Sequence, residues 1–133
     1  MADVAYEATG KTLEELFESS ARALTNSMLE KLDSIGNSES VKFSLKADNE
    51  EKLLHDFLDE IVYYKDAENL VFNEYSLKIT REEGGYDMEA VLNGEKINQK
   101  KHNINVDVKA VSWHKYKVGK DNDGWKAFVI LDV

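Results

Sequence analysis

The last nine residues constrain the fold more than any other stretch. They run from Trp125 to Val133, and every position from Ala127 to Leu131 is apolar, on both alternating faces of an extended chain. A strand written this way is usually central in its sheet and covered on two sides. It ends in a carboxylate, Asp132. Near the other end of the chain a second acid, Asp3, interrupts the strand-like run Ala2-Asp3-Val4-Ala5-Tyr6. If the first and last strands are neighbours, the two carboxylates meet at one edge of the sheet.

The chain between them alternates in period. Ala2–Ala8 reads as a strand, closed by Gly10-Lys11. Thr12-Leu13-Glu14-Glu15 has capping-box spacing and opens a helix whose apolar stripe runs Leu13, Leu16, Phe17, Ala21, Leu24, Met28, Leu32. Ser40–Ala47 alternates as a half-buried strand. Asp48, with Glu51 three residues on, is expected to cap a second helix that reaches about Lys65, followed by a loop over Asp66–Asn69. Leu70–Thr80 is a strand whose apolar phase changes near Asn73-Glu74, which predicts a bulge. It forms a hairpin with Tyr86–Leu92, and Asn93-Gly94 reads as a turn. Glu95–Asn105 reads as loop, and Val106–Val118 as a long strand that turns at Gly119–Gly124 into the closing strand. The expected fold is one α+β domain over residues 1–133: a mostly antiparallel sheet with two helices packed on one face.

Composition narrows the function. The chain has 133 residues and a formal net charge of −9, which argues against a protein that grips nucleic-acid phosphates. It carries no cysteine, so disulfides, thiolate metal sites and cysteine nucleophiles are absent, which fits a cytoplasmic protein. No signal peptide opens the chain, and no run is apolar enough to cross a membrane. His55, His102 and His114 show no paired metal-ligand spacing. His114, beside Trp113, reads as a packed core histidine. Asp121–Gly124 fails the EF-hand pattern and reads as a hairpin turn. No nucleophile triad and no Gly-rich phosphate loop is visible. The expectation is a protein that is not an enzyme.

The two acids and one lysine remain. Taken alone, Asp3 and Asp132 read as exposed strand-end acids. Taken together, two carboxylates without His or Cys suit a hard cation, Ca²⁺ or Mg²⁺, with Val133 offering a further carbonyl. Lys109 is a single cation among strand formers. It reads either as part of a solvated face, two positions from Asp107, or as a charge aimed at a partner.

At these residues the sequence resembles the archease family, the small accessory proteins of the RtcB-type RNA splicing ligase. The stretches that carry the likeness are Ala2–Tyr6, Gly10–Glu18, Leu53–Glu60, Val108–His114 and Val129–Val133. They run in order along almost the whole chain. The resemblance implies a compact α+β fold with a strand-helix-strand-strand module. It also implies a protein that is not the ligase but helps the ligase become guanylylated and turn over repeatedly. It further implies a divalent-cation site, usually described with calcium, at Asp3 and Asp132 beside Val133, and a functionally sensitive lysine at Lys109. The family carries His-Thr before Ala-Asp, whereas here Met1 stands where the Thr would be. The other readings are a chaperone-like adaptor for proteins of RNA or DNA processing, with a purely structural cation, and a small hydrolase using a metal-bound water.

Overall fold

The computed structural model describes residues 3–133. The chain runs β1 (Asp3–Gly10), α1 (Leu13–Met28), β2 (Glu39–Ala47), α2 (Glu50–Glu68), β3 (Leu70–Glu82), β4 (Gly85–Lys96), a short α3 (Gln99–His102), β5 (Ala110–Asp121) and β6 (Gly124–Asp132). The α+β class holds. The strands divide, however, into two three-stranded antiparallel sheets, in the orders β1-β6-β5 and β2-β4-β3. Each long helix touches strands of both sheets, α1 against β1, β6 and β3, α2 against β5, β2 and β3. One continuous core therefore serves both sheets. Where the helices meet, Phe17 stacks on Phe57 with ring centroids 5.7 Å apart.

Local chemistry explains most element ends. Thr12 caps α1, its hydroxyl accepting from the Glu15 N–H at 3.1 Å. The helix stops at Met28, short of the expected Leu32, and the chain turns extended at Leu29. The Met28 carbonyl is instead satisfied by the Asn105 N–H at 3.0 Å. Leu32 falls in a short 3₁₀ turn, Leu32–Ser34. Asn49, not Asp48, caps α2, accepting from the Lys52 N–H at 2.8 Å. That helix continues past Lys65 to Glu68 and ends at Asn69, whose φ of 58° is a left-handed cap.

The expected bulge in β3 is present, between Phe72 and Glu74. Asn93-Gly94 is not a turn but part of β4, where Gly94 faces Phe72 on one side and Glu39 on the other. Its glycine answers a close approach: a Cβ there would collide with the Val71 carbonyl oxygen. The expected strand over 106–109 is irregular connection, and β5 begins only at Ala110.

The closing strand β6 is central, as its composition requires, lying between β1 and β5. Its coverage is one-sided. Ala127, Val129 and Leu131 are buried, whereas Phe128 and Ile130 on the other face are only half-buried. The two helices pack against a single face of this sheet, which accounts for the difference.

Gly94→Ala is expected to destabilise the domain by about 3 kcal/mol, the scale of overpacking against rigid backbone. Urea denaturation reads this directly, and an unchanged midpoint would show that β3 and β4 part locally at no cost.

Candidate metal centre

Asp3 and Asp132 are direct cross-strand partners in the β1–β6 ladder. Partners opposite each other in an antiparallel pair project to the same face, with Cβ atoms about 4.5–5.5 Å apart. Both residues are exposed and Val133, next along the chain, is half-buried. Two like charges so placed repel, and a bound cation relieves that repulsion. The donors are all oxygens, which fits a hard cation rather than Zn²⁺.

Lys109 arrives at the same end of the sheet from the other side. Ala110 stands opposite Asp132 in the β5–β6 ladder, and the Lys109 N–H donates to the Asp132 carbonyl at 2.8 Å. The main chains of Asp3 on β1, Asp132 on β6 and Lys109, just before β5, therefore meet at one end of the sheet. Asp107 does not pair with Lys109 across a strand face. Its carboxylate lies 2.5 Å from the ammonium of Lys65, which is also 2.5 Å from Asp66.

Lys65 is buried, with 5% of its side chain exposed. Burial alone would lower its pKa, but hydrogen bonds to Asp107 and Asp66 more than offset this, so its pKa is raised. The pairing ties the end of α2 to the connection that delivers Lys109. The start of the same connection is held by Glu95. Its carboxylate accepts from His102 Nε2–H and from Lys101, both at 2.7 Å. The His102 Nδ1 accepts from the Asn98 N–H, which leaves Nε2 as the nitrogen that donates to Glu95. The Gly36 N–H, Lys101 and His102 hold the Glu95 carboxyl down at about 2. Sequence reading treated Glu95–Asn105 as plain loop and missed this hub. The short α3 and the buried His102 leave no periodic signal.

His55, not His114, is the buried aromatic-packed histidine: His114 is exposed. One ligand atom each from His55, Asp56 and Asp59 lie within 4.8 Å of one another. The spacing His55-Asp56-x-x-Asp59 was the available signal. The geometry nevertheless reads as a hydrogen-bonded pair. His55 Nδ1 sits 3.2 Å from Asp59, and Asp56 is engaged by the Lys52 ammonium at 2.9 Å. The buried His55 Nε2 has no partner among the described residues. A metal on Nδ1 would place the ring proton on Nε2, whereas ligating histidines normally donate that proton to an acceptor.

An α+β domain of two antiparallel sheets on one shared core is the architecture of a known group. The archease protein family matches residues 1–133 in full. The archease of Methanosarcina barkeri is 36% identical over 133 residues, covering 99% of this chain and 90% of that protein. That of Pyrococcus abyssi is 34% identical, covering 99% and 93%. In solved structures, protein 1598 of Methanobacterium thermoautotrophicum superposes with a TM-score of 0.86 at 29% identity, covering 100% of this chain and 94% of that one. A Thermotoga maritima protein described as an archease, possible chaperone, shares the fold with a TM-score of 0.64 at 22% identity, covering 99% and 91%. The chain belongs to the archease family. No helix in the described residues is long and apolar enough to cross a membrane.

Two outcomes follow from the connection that carries Lys109. Lys65→Met is expected to raise hydrogen exchange at the Lys109 amide about tenfold, because Asp107 loses its buried anchor. Protection equal to wild type would show that the connection is held without it. Glu95 has a folded-state pKa of about 2, below its ordinary 4.5. Such a group adds stability that is full above the ordinary value and fades as pH falls through the folded one. Glu95→Gln is therefore expected to melt below wild type at pH 7 and to converge with it between about pH 4 and pH 2. A constant gap across that window would mean that the carboxylate charge is not what stabilises.

Proposed function

We propose that this protein is a non-catalytic activator of an RtcB-type RNA ligase, promoting guanylylation of the ligase and its repeated turnover. The direct opposition of Asp3 and Asp132 is the observation that carries this reading, supported by family membership and by the acidic net charge. Asp3, Asp132 and the Val133 carbonyl would hold a divalent cation, Ca²⁺ by preference and Mg²⁺ as the smaller alternative. The ion would supply positive charge that lets two acids share one surface.

The residues of this chain then have distinct tasks. The β1–β6 ladder sets the separation of the two carboxylates. The Lys109 amide fixes the Asp132 main chain, and the lysine side chain presents a positive charge beside an otherwise acidic edge. A protein partner suits this surface better than direct nucleic-acid capture, since phosphates would meet net negative charge. The expected place of action is the cytoplasm.

A multiple-turnover RNA ligation assay with GTP tests the reading. The wild-type protein is expected to stimulate product formation. Asp132→Asn is expected to weaken Ca²⁺ binding about tenfold or more, read by calorimetry, and to lose most of the stimulation. Lys109→Ala is expected to keep Ca²⁺ binding and to reduce ligase guanylylation. Equal stimulation by wild type and Asp132→Asn would remove the cation from the mechanism. Ca²⁺ binding without any stimulation would favour the chaperone-like adaptor.

A further inference from the structure

Among the described residues two large hydrophobic side chains are strongly exposed, Tyr63 at 56% and Trp113 at 60%. Trp113 is displayed by a built irregularity. In the β5–β6 ladder Ser112 faces Ile130 and Lys117 faces Phe128, so the stretch Trp113–Tyr116 stands opposite Val129 alone. The excursion passes through Lys115 at φ 56°, a left-handed conformation unfavourable for a lysine. Such strain persists only where surrounding contacts hold it.

Those contacts are specific. The Trp113 indole lies flat on the His55 imidazole, with centroids 3.6 Å apart and planes 3° from parallel. Tyr116 presents its edge to both rings, and its hydroxyl donates to the Glu51 carbonyl at 2.7 Å. One face of the indole is thus fixed on a buried histidine, and the large exposed area of Trp113 belongs to the rest of the ring. Asp59 hydrogen-bonds to the same imidazole. Asp56, Asp59, Glu60 and Tyr63, with Leu45, line an adjoining surface cavity of about 360 Å³. Burial, followed by the charges of Asp59 and Asp56, pushes the Glu60 carboxyl up, so the negative charge here is under-compensated. Lys52 engages only Asp56.

An immobilised aromatic face beside three carboxylates that share the single cation Lys52 is suited to a cationic side chain. The ring face is electron-rich, and a guanidinium can stack on indole while its N–H fork reaches a carboxylate. A nucleobase could stack as well, but its phosphates would be repelled by Asp56, Asp59 and Glu60. We propose that the open face of Trp113, with Asp56 and Asp59, docks an arginine side chain of a partner protein. The inference is independent of the cation centre, and either can fail without the other.

The test follows the Trp113 indole N–H by NMR in the ¹⁵N-labelled full chain, with Trp125 as internal reference. The probe is a blocked Gly-Arg-Gly peptide, and its control is the same peptide with neutral, nearly isosteric citrulline. The arginine peptide is expected to shift the Trp113 signal saturably, and the citrulline peptide is not. Asp56→Asn and Asp59→Asn are each expected to weaken binding about two- to fivefold. Asp59→Asn retains an acceptor for His55, so an unchanged melting temperature separates lost charge from lost fold. Equal shifts from both peptides would overturn the proposal, as would no shift at Trp113. A shift with single-stranded oligouridylate and none with the arginine peptide would assign the face to a nucleobase instead.

Discussion

The ladders that β6 makes with β1 on one side and β5 on the other hold the rest of the molecule in register. An antiparallel pair slipped by one residue turns every side chain to the opposite face. Here the buried set Ala127, Val129 and Leu131 allows no such slip. The same register sets Asp132 between Asp3 and Ala110. Core packing and the geometry of the acidic edge are therefore one constraint. The apolar residues specify the alignment, and the carboxylates inherit it.

The helices convert that local register into a domain. Each of α1 and α2 packs on both sheets, so neither sheet has a core of its own. The Phe17–Phe57 contact lies where this shared burial is complete, both residues being fully buried. Polar anchors then finish what packing leaves open. Lys65 holds Asp107, Glu95 holds His102 and Lys101, and Asn105 answers the last carbonyl of α1. All three act on the irregular stretch between β4 and β5, where no ladder sets the backbone.

Legibility in the sequence followed the same division. Regular alternation and helical stripes located both long helices, four strands nearly in full and the bodies of β4 and β5, because those patterns record burial directly. The central place of β6 was readable from its unbroken apolar run. Its open second face was not, since periodicity does not say whether a covering element exists. Two sheets rather than one followed from how the helices divide between them, which is a long-range fact. Gly94 was misread because a turn glycine and a close-approach glycine look alike in one dimension. The Trp113–Tyr116 excursion escaped notice because its alternation merely reverses phase. The facing of Asp3 and Asp132 was anticipated only as a condition on strand order. The contacts of His55 with Trp113 and of Lys65 with Asp107 join residues distant in sequence and carried no local mark.

The strand order also has a consequence in time. The first strand and the fifth are neighbours only through the sixth, which is made after both. During synthesis β1 waits without a ladder partner until β6 has emerged, and the sheet closes by insertion of its middle member. A nascent chain that stops short of β6 holds every strand of β2-β4-β3 but lacks the acidic edge. The edge forms only once β6 is present, so its assembly reports arrival of the strand that carries Asp132.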